Sequence, residues 1–328
     1  MHNSVGLGTF PLAGVFNQVS SKRAIEVISS FIDQGGFYID TAPFYGFGEV
    51  EKILGRGLSK TSRDQYFLIS KCGYDDVEGK NLKTVQKRST YAEVIQQCND
   101  SLARLQTDYI DLYMIHSPNH NTPFSETMDA LIDLKKQGKI KAIGVSNVNL
   151  KELKEYNQTN QITYVQNRFN LITRSIDSEL STYFTNHQIK LIPYHVLEIG
   201  LLTGKVFENI EQISADDFRH NFSYWRKEPN QLIIDWVIEY LKPISEELGI
   251  TIGQLAMSWV LHQPNIGFLI AGTTNPEYLF INLKSDQIKL SPTVLQQLDQ
   301  AYQQLEDQVQ KKHHQTLKQF RGLSEKYY

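Results

Sequence analysis

Short apolar runs alternate with longer amphipathic stretches along most of the chain, and these two periodicities predict strand and helix in turn. Residues 5–10 form the first strand-like run. A helix follows from Ser21, a side chain suited to capping, to about Gln34, where Gly35-Gly36 ends it. The second strand covers 37–42. The pattern then predicts a helix over 49–58, a strand over 66–71, a helix over 91–105, a strand over 109–116, a helix over 124–137, a strand over 139–145 and a helix over 149–157. Further strand-like runs lie at 164–169, 190–194 and 267–271, with a helix over 177–187 between the first two. Such alternation implies the α/β class with a parallel sheet. Eight units favour closure into a (β/α)8 TIM barrel over an open doubly wound sheet.

Residues 199–250 are too many for an ordinary connection and predict a covering loop with some helix of its own. Phe218, Phe222, Tyr224, Trp225 and Arg226 would suit a lid, and would equally serve to pack that loop down. A helix over 292–305 and a polar tail over about 306–328 close the chain. His313-His314 in that tail has no carboxylate or cysteine at ligand spacing and reads as solvated; no metal site is expected.

Composition adds bounds. The 328 residues, 41% of them hydrophobic, suit one barrel domain over 1–328, and no Gly/Ser/Pro-rich linker divides them. A net charge of −3 gives no reason to propose nucleic acid or an anionic membrane as partner. The start has no basic region followed by an apolar stretch, and no apolar run approaches the length of about 18 that spans a bilayer. A soluble, cytoplasmic protein is expected, with Cys72 and Cys98 as reduced thiols. No heptad pattern asks for a protein partner.

Three of the strand-like runs end in chemistry. Asp40 ends the second, Lys71 the third and His116 the fourth, and Tyr45 follows Asp40 by five residues. In a barrel the carboxyl ends of strands carry the active site. A nearby ammonium favours a phenolate, so Lys71, held by Asp40, would make Tyr45 a better acid, and His116 could orient a carbonyl oxygen by hydrogen bond. Singly, each residue has an ordinary use as a cap, a rim charge or a structural histidine; it is the four together that point to carbonyl chemistry. No side chain donates hydride, so a nicotinamide cofactor is implied.

Gly6-Leu7-Gly8-Thr9, Asp40-Thr41-Ala42-Pro43-Phe44-Tyr45-Gly46, Glu49 with Leu54-Gly55-Arg56-Gly57-Leu58, Ile69-Ser70-Lys71, Asp108-Tyr109-Ile110-Asp111-Leu112, His116-Ser117-Pro118 and Gly144-Val145-Ser146-Asn147 together resemble the aldo-keto reductases in order and spacing, to about Leu298. The resemblance implies a (β/α)8 barrel that reduces an aldehyde or ketone, a small-molecule carbonyl, with NADPH or less often NADH. It implies Asp40, Tyr45, Lys71 and His116 as the catalytic tetrad, with Tyr45 the general acid. Ser146, Asn147 and Gln166 would hydrogen-bond the nicotinamide carboxamide and Tyr194 would stack on its ring. Further cofactor contacts are implied for Thr9, for His195 and Leu197 after the seventh strand, and for Gly272, Thr273, Thr274, Tyr278 and Asn282 after the eighth.

The chain also departs from that pattern. Tyr194-His195-Val196-Leu197 replaces a usual Tyr-Ser-Pro-Leu, so His195 stands where a small hydroxyl is expected. Residues 271–282 contain no Lys or Arg, whereas members that grip the 2′-phosphate of NADPH place bases there. This leaves NADH use, NADPH held by a base from elsewhere such as Lys205 or Lys284, or weak cofactor binding. Ser4-Val5-Gly6 begins almost at the first strand, where many members first place a hairpin across the barrel floor. An alternative to the enzyme is a cofactor-binding regulatory or partner protein of the same fold, as in potassium-channel β subunits. Phe10, Phe44, Phe47 and Tyr74 could line an apolar substrate pocket or could simply pack.

Overall fold

The structure, a computed structural model, describes residues 2–74, 85–205, 213, 217–221 and 225–322. Along the chain run β1 (Val5–Gly8), α1 (Ser21–Asp33), β2 (Tyr38–Asp40), α2 (Glu49–Leu58), β3 (Phe67–Tyr74), β4 (Lys87–Arg88), α3 (Tyr91–Leu105), β5 (Ile110–Ile115) and α4 (Phe124–Lys136). Then come β6 (Ile140–Ser146), α5 (Leu150–Tyr156), β7 (Ile162–Gln166), α6 (Ser178–His187), β8 (Lys190–Leu191), α7 (Lys227–Trp236), α8 (Lys242–Glu247) and α9 (Ile252–Leu261). Finally β9 (Leu269–Gly272), α10 (Pro276–Leu283), α11 (Pro292–His313) and α12 (Leu317–Phe320) end the series.

Parallel pairing runs β8-β7-β6-β5-β3-β2-β1-β9, and among the described residues β4 alone stands outside it, antiparallel to β3. A parallel bridge between Leu191 and Ile266, with Ile270 N–H bonded to the Pro193 carbonyl at 2.9 Å, joins the two ends. The sheet therefore closes into a (β/α)8 barrel.

Residues two apart on a strand face the same side, and this period builds the barrel interior in layers. Tyr38, Phe67, Tyr164 and Phe268 form the lowest layer, Tyr38 stacking on Phe268 with centroids 3.7 Å apart. His2 stacks on Phe37 at 3.5 Å just outside it. These rings close the floor of the barrel. Above them lie Ile69, Leu112, Met114, Ile192 and Ile270, all buried. The next inward positions are Asp40, Lys71, His116, Ser146 and Gln166. Each buried aliphatic contributes about 1.5–3 kcal/mol by leaving water, which offsets the cost of the polar layer above. Gly144 leaves room in the middle layer: a Cβ there would lie 2.6 Å from Met114 Cε.

The outward positions between these, such as Leu68 and Cys72, pack against the helices. Local signals place those helices. Thr90 with Glu93, Asn149 with Glu152 and Thr251 with Gln254 form capping boxes for α3, α5 and α9. The cap of α1 is Ser20, whose side chain accepts from Arg23 N–H, one residue before the position expected. Ser70 is a polar side chain buried on the outward side: it donates to buried Glu51 at 2.6 Å, and Arg104 holds the other oxygen of Glu51 at 2.7 Å.

Several boundaries differ from the pattern-based expectation. β1 stops at Gly8 because Pro11 starts a 3-10 turn over Phe10–Ala13. β8 is two residues long because Pro193 has no N–H for the ladder, although Tyr194 still bridges Arg168. The second part of 199–250 is helical, in α7 and α8. The expected polar tail is largely ordered: α11 runs on to His313 with Leu305 and Val309 buried, and Leu317, Phe320 and Arg321 are buried beyond it. His313 packs against Phe320 at 4.1 Å and is half-buried rather than solvated. Tyr327 and Tyr328 lie outside the described residues. No helix among the described residues is long and apolar enough to cross a membrane.

Removing one partner of a buried ion pair typically costs about 3–5 kcal/mol. Glu51→Ala, which strands Arg104, is expected to lower unfolding free energy by that order in urea titrations followed by circular dichroism; a loss under about 1 kcal/mol would mean the pair is redundant.

Candidate active site

The period-2 layering brings Asp40, Lys71 and His116 to one end of the barrel, and the turn after β2 returns Tyr45 to them. Lys71 donates to both oxygens of Asp40, at 2.9 and 2.8 Å, and to the Thr41 carbonyl at 3.0 Å. The two side chains are 1% and 4% exposed. Tyr45 Oη stands 3.4 Å from Lys71 Nζ. Gln166 donates its amide to Asp40 at 2.8 Å, which ties the sixth barrel strand to the same carboxylate. The ring of His116 meets Tyr45 edge-on with centroids 6.0 Å apart. All four predicted residues are thus brought together.

Burial sets their protonation. The Tyr45 phenol is pushed well above the ordinary range, first by burial and then by the Asp40 carboxylate. This reverses the expectation that Lys71 would lower it: the lysine charge is matched by Asp40. Burial lowers Lys71, and the Asp40 carboxylate works against that shift. His116 is pushed well below its usual value by burial and then by the Lys71 charge. At neutral pH the mouth of the barrel therefore presents a protonated phenol and a neutral imidazole above a buried ion pair.

A second polar group adjoins the first. Asn147 donates to the His116 carbonyl at 2.9 Å and to Ser146 Oγ at 3.1 Å, and it accepts from Tyr194 Oη at 2.6 Å. Ser146 donates to the Gln166 carbonyl at 2.8 Å. Primary amides and hydroxyls of this kind offer both a donor and an acceptor, the set that a carboxamide needs. Tyr194 is half-buried beside them. The residues present therefore fit a nicotinamide.

Thr9 is buried and donates to the Asp40 carbonyl at 2.8 Å, so its hydroxyl steadies β2. His195 and Leu197 are half-buried, and His195 lies edge-on to Tyr194 at 4.9 Å. Burial, then the Arg168 charge, lower His195 to about 3. On the far side of β9, Gly272 is exposed, Thr273 is bonded to Asn275, and Asn282 is buried on α10.

Two bases from other elements stand beside 271–282. Lys205 stands 2.5 Å from Tyr278 Oη with its ammonium 3.8 Å from the ring centre. Arg23, on α1, donates to the Thr274 carbonyl at 3.1 Å and to Asn275 at 3.3 Å, and also pairs with Glu26. Sequence reasoning missed Arg23, which belongs to no motif. Lys284 instead lies over the Phe280 ring.

Aromatic rings wall the mouth. Phe44 and Tyr74 flank His116 at 5.9 and 5.0 Å, and Phe10 contacts Tyr45 at 5.1 Å. Phe218 N–H bonds to the Val15 carbonyl at 2.8 Å and its ring meets Phe10 at 5.3 Å, so residues 217–221 reach the mouth as a lid would. Arg219 lies over Trp225 at 5.2 Å. Phe222 and Tyr224 lie outside the described residues. Phe47 sits in the turn after Tyr45 with φ of 53°.

The profile of the Aldo/keto reductase family matches residues 4–303. The chain belongs to that family. This aldo/keto reductase is 32% identical over 299 residues to the NADH-specific methylglyoxal reductase of Escherichia coli, covering 88% of this chain and 90% of that one. Among solved structures, a glycerol dehydrogenase from Gluconobacter oxydans superposes with TM-score 0.79 at 28% identity, over 95% of this chain and 93% of the other. An aldo/keto reductase from Klebsiella pneumoniae, solved with NADP and acetate, gives TM-score 0.69 at 25% identity over 91% of each chain. The chain is accordingly an NAD(P)H-dependent oxidoreductase.

Two half-buried neutral histidines make the fold sensitive to acid. For His116 and His195 the folded value lies below the unfolded one, so below about pH 6.5 the unfolded state binds more protons and stability falls as pH falls. The slope is at most about 1.4 kcal/mol per pH unit for each histidine. His195→Asn should flatten the stability profile between about pH 4 and 6 in denaturant titrations; an unaltered slope would mean that His195 is already charged in the folded state.

Proposed function

We propose that this aldo/keto reductase reduces a small aldehyde or ketone to an alcohol, with Tyr45 as general acid. The observation that carries this is the chain of contacts Asp40, Lys71, Tyr45, with His116 facing the same phenol. The reduced dinucleotide supplies, when bound, the hydride that no side chain can supply. Tyr45 holds a proton at neutral pH, and Lys71 at 3.4 Å stabilises the phenolate as that proton leaves for the carbonyl oxygen. Neutral His116 orients that oxygen by hydrogen bond rather than by charge. Ser146, Asn147 and Gln166 hold the carboxamide and Tyr194 faces its ring. Phe10, Phe44, Tyr74 and Phe218 make an apolar surround that suits a small carbonyl compound, and a 2-oxoaldehyde such as methylglyoxal is the first to try.

For the cofactor, the reading best supported is NADPH, with its 2′-phosphate met by Lys205, whose ammonium lies against Tyr278, and by Arg23. A second reading, NADH, is favoured by the absence of any base within 271–282 and by Glu26, which offsets the charge of Arg23. Side-by-side fluorescence titrations with the two dinucleotides separate them. Lys205→Gln is expected to weaken NADPH about tenfold and leave NADH within twofold, in line with the loss of one charge-assisted contact; equal effects on both would place the phosphate elsewhere.

Tyr45→Phe is expected to lower kcat by at least about a hundredfold, the scale of general acid catalysis, with dinucleotide affinity kept within threefold. Retained turnover would remove Tyr45 as the acid. Dinucleotide binding without turnover of any carbonyl by the parent protein would favour a cofactor-binding partner role.

A further inference from the structure

The turn that follows β8 is held in an unusual conformation. His195, Glu198 and Ile199 all have left-handed φ, of 52, 48 and 48°. Non-glycine residues adopt this region at a cost, and a β-branched isoleucine does so only when its surroundings impose it. Within the same turn, Glu198 N–H closes onto the His195 carbonyl at 2.7 Å.

A buried ion cluster imposes that shape. Glu198 is 0% exposed, and its carboxylate accepts from Arg168, Asn170 and Arg321. Asn170 donates its amide to the His195 carbonyl as well, at 2.9 Å. Arg321 lies 123 residues beyond Glu198 in the chain, yet is itself 0% exposed. Its guanidinium stands 2.5 Å from Glu198 Oε1 and 2.9 Å from Thr173 Oγ1. Arg226, at the cap of α7, donates to the Phe320 carbonyl. The segment Leu317–Arg321, with its own Leu317 and Phe320 buried, is thus pinned to the turn after β8 and to the start of α7.

Dehydrating a guanidinium costs several kcal/mol unless a fixed partner meets it. An aliphatic side chain would fill the same space without that cost. What a charged pair adds is a defined direction: the Glu198 carboxylate, and the backbone that carries it, can sit in only one place.

We propose that Arg321 is a positioning residue for the dinucleotide. By holding Glu198 it fixes the backbone from Tyr194 to Leu197, and so couples cofactor affinity to the docking of the C-terminal segment. This rests on the reading that Tyr194, His195 and Leu197 meet the dinucleotide. Arg321 is placed to act through Glu198, which it holds, rather than by its own contact with substrate or cofactor.

The test compares Arg321→Ala, Arg321→Lys and Glu198→Gln with the parent protein, at a temperature where circular dichroism shows each to be folded. NADPH and NADH affinities are read by fluorescence titration, and amide exchange over 195–204 is read by mass spectrometry without any dinucleotide. Arg321→Ala is expected to weaken the bound dinucleotide at least tenfold and to speed exchange in 195–204 while β5 and β6 stay protected. Arg321→Lys should recover part of the affinity. In turnover, the KM for dinucleotide should rise while that for the carbonyl stays within twofold. If Arg321→Ala does not fold, Glu198→Gln carries the same expectation. Unchanged affinity in a folded variant, or an equal rise in both KM values, overturns the inference. Failure of both variants to fold would make the cluster a requirement of the barrel as a whole and overturns it too. A parent protein that binds neither dinucleotide overturns the functional reading and this inference together, whereas equal binding by parent and variant overturns this inference alone.

Discussion

An ammonium and a carboxylate almost wholly shut off from water constrain everything around them. Burying the Lys71–Asp40 pair costs several kcal/mol per ion before any attraction is counted. It is tolerable only because each remaining donor and acceptor is met: Thr41 offers a carbonyl, Gln166 an amide and Tyr45 a hydroxyl. Those partners come from the turn after β2 and from β7. The pair therefore sets which face of each strand points inward. A one-residue slip in any of them would turn an ion or its partner out of the barrel.

The same pair governs the protonation of its neighbours. Burial and the Asp40 carboxylate keep the Tyr45 phenol protonated in the resting site. For His116 both burial and the lysine act in one direction, and the imidazole stays neutral. The Arg168–Glu198–Arg321 cluster repeats this on the other side of the mouth, where burial and Arg168 keep His195 neutral. Charge lies beneath the site and beside it, while the surface offered to a ligand is made of neutral hydrogen-bonding groups and aromatic rings.

Much of the site was legible because strand chemistry is periodic. Asp40, Lys71 and His116 end apolar runs, and the runs themselves mark the strands, so the tetrad could be named before any contact was known. Boundaries were less legible. A run such as 190–194 reads as a full strand, yet Pro193 removes a ladder donor and the regular pairing stops at Leu191. The pattern predicts an end for α11 near 305 because the residues that follow are mostly polar, while Leu305 and Val309, four apart, keep one face buried to His313.

By itself the chain determined the alternation of elements, the inward parity of each strand and the identity of the chemical groups at the strand ends, because these follow from periods of two and 3.6 and from side-chain chemistry. Only the tertiary structure decided how those groups are charged, since burial and the distance between Lys71 and its neighbours exist only once the barrel has closed. It alone brought Arg23 from α1 to Thr274, Lys205 to Tyr278 and Arg321 to Glu198. Contacts between residues more than seventy positions apart leave no period in a sequence; they arise where the packing of a closed barrel brings distant loops to the same rim.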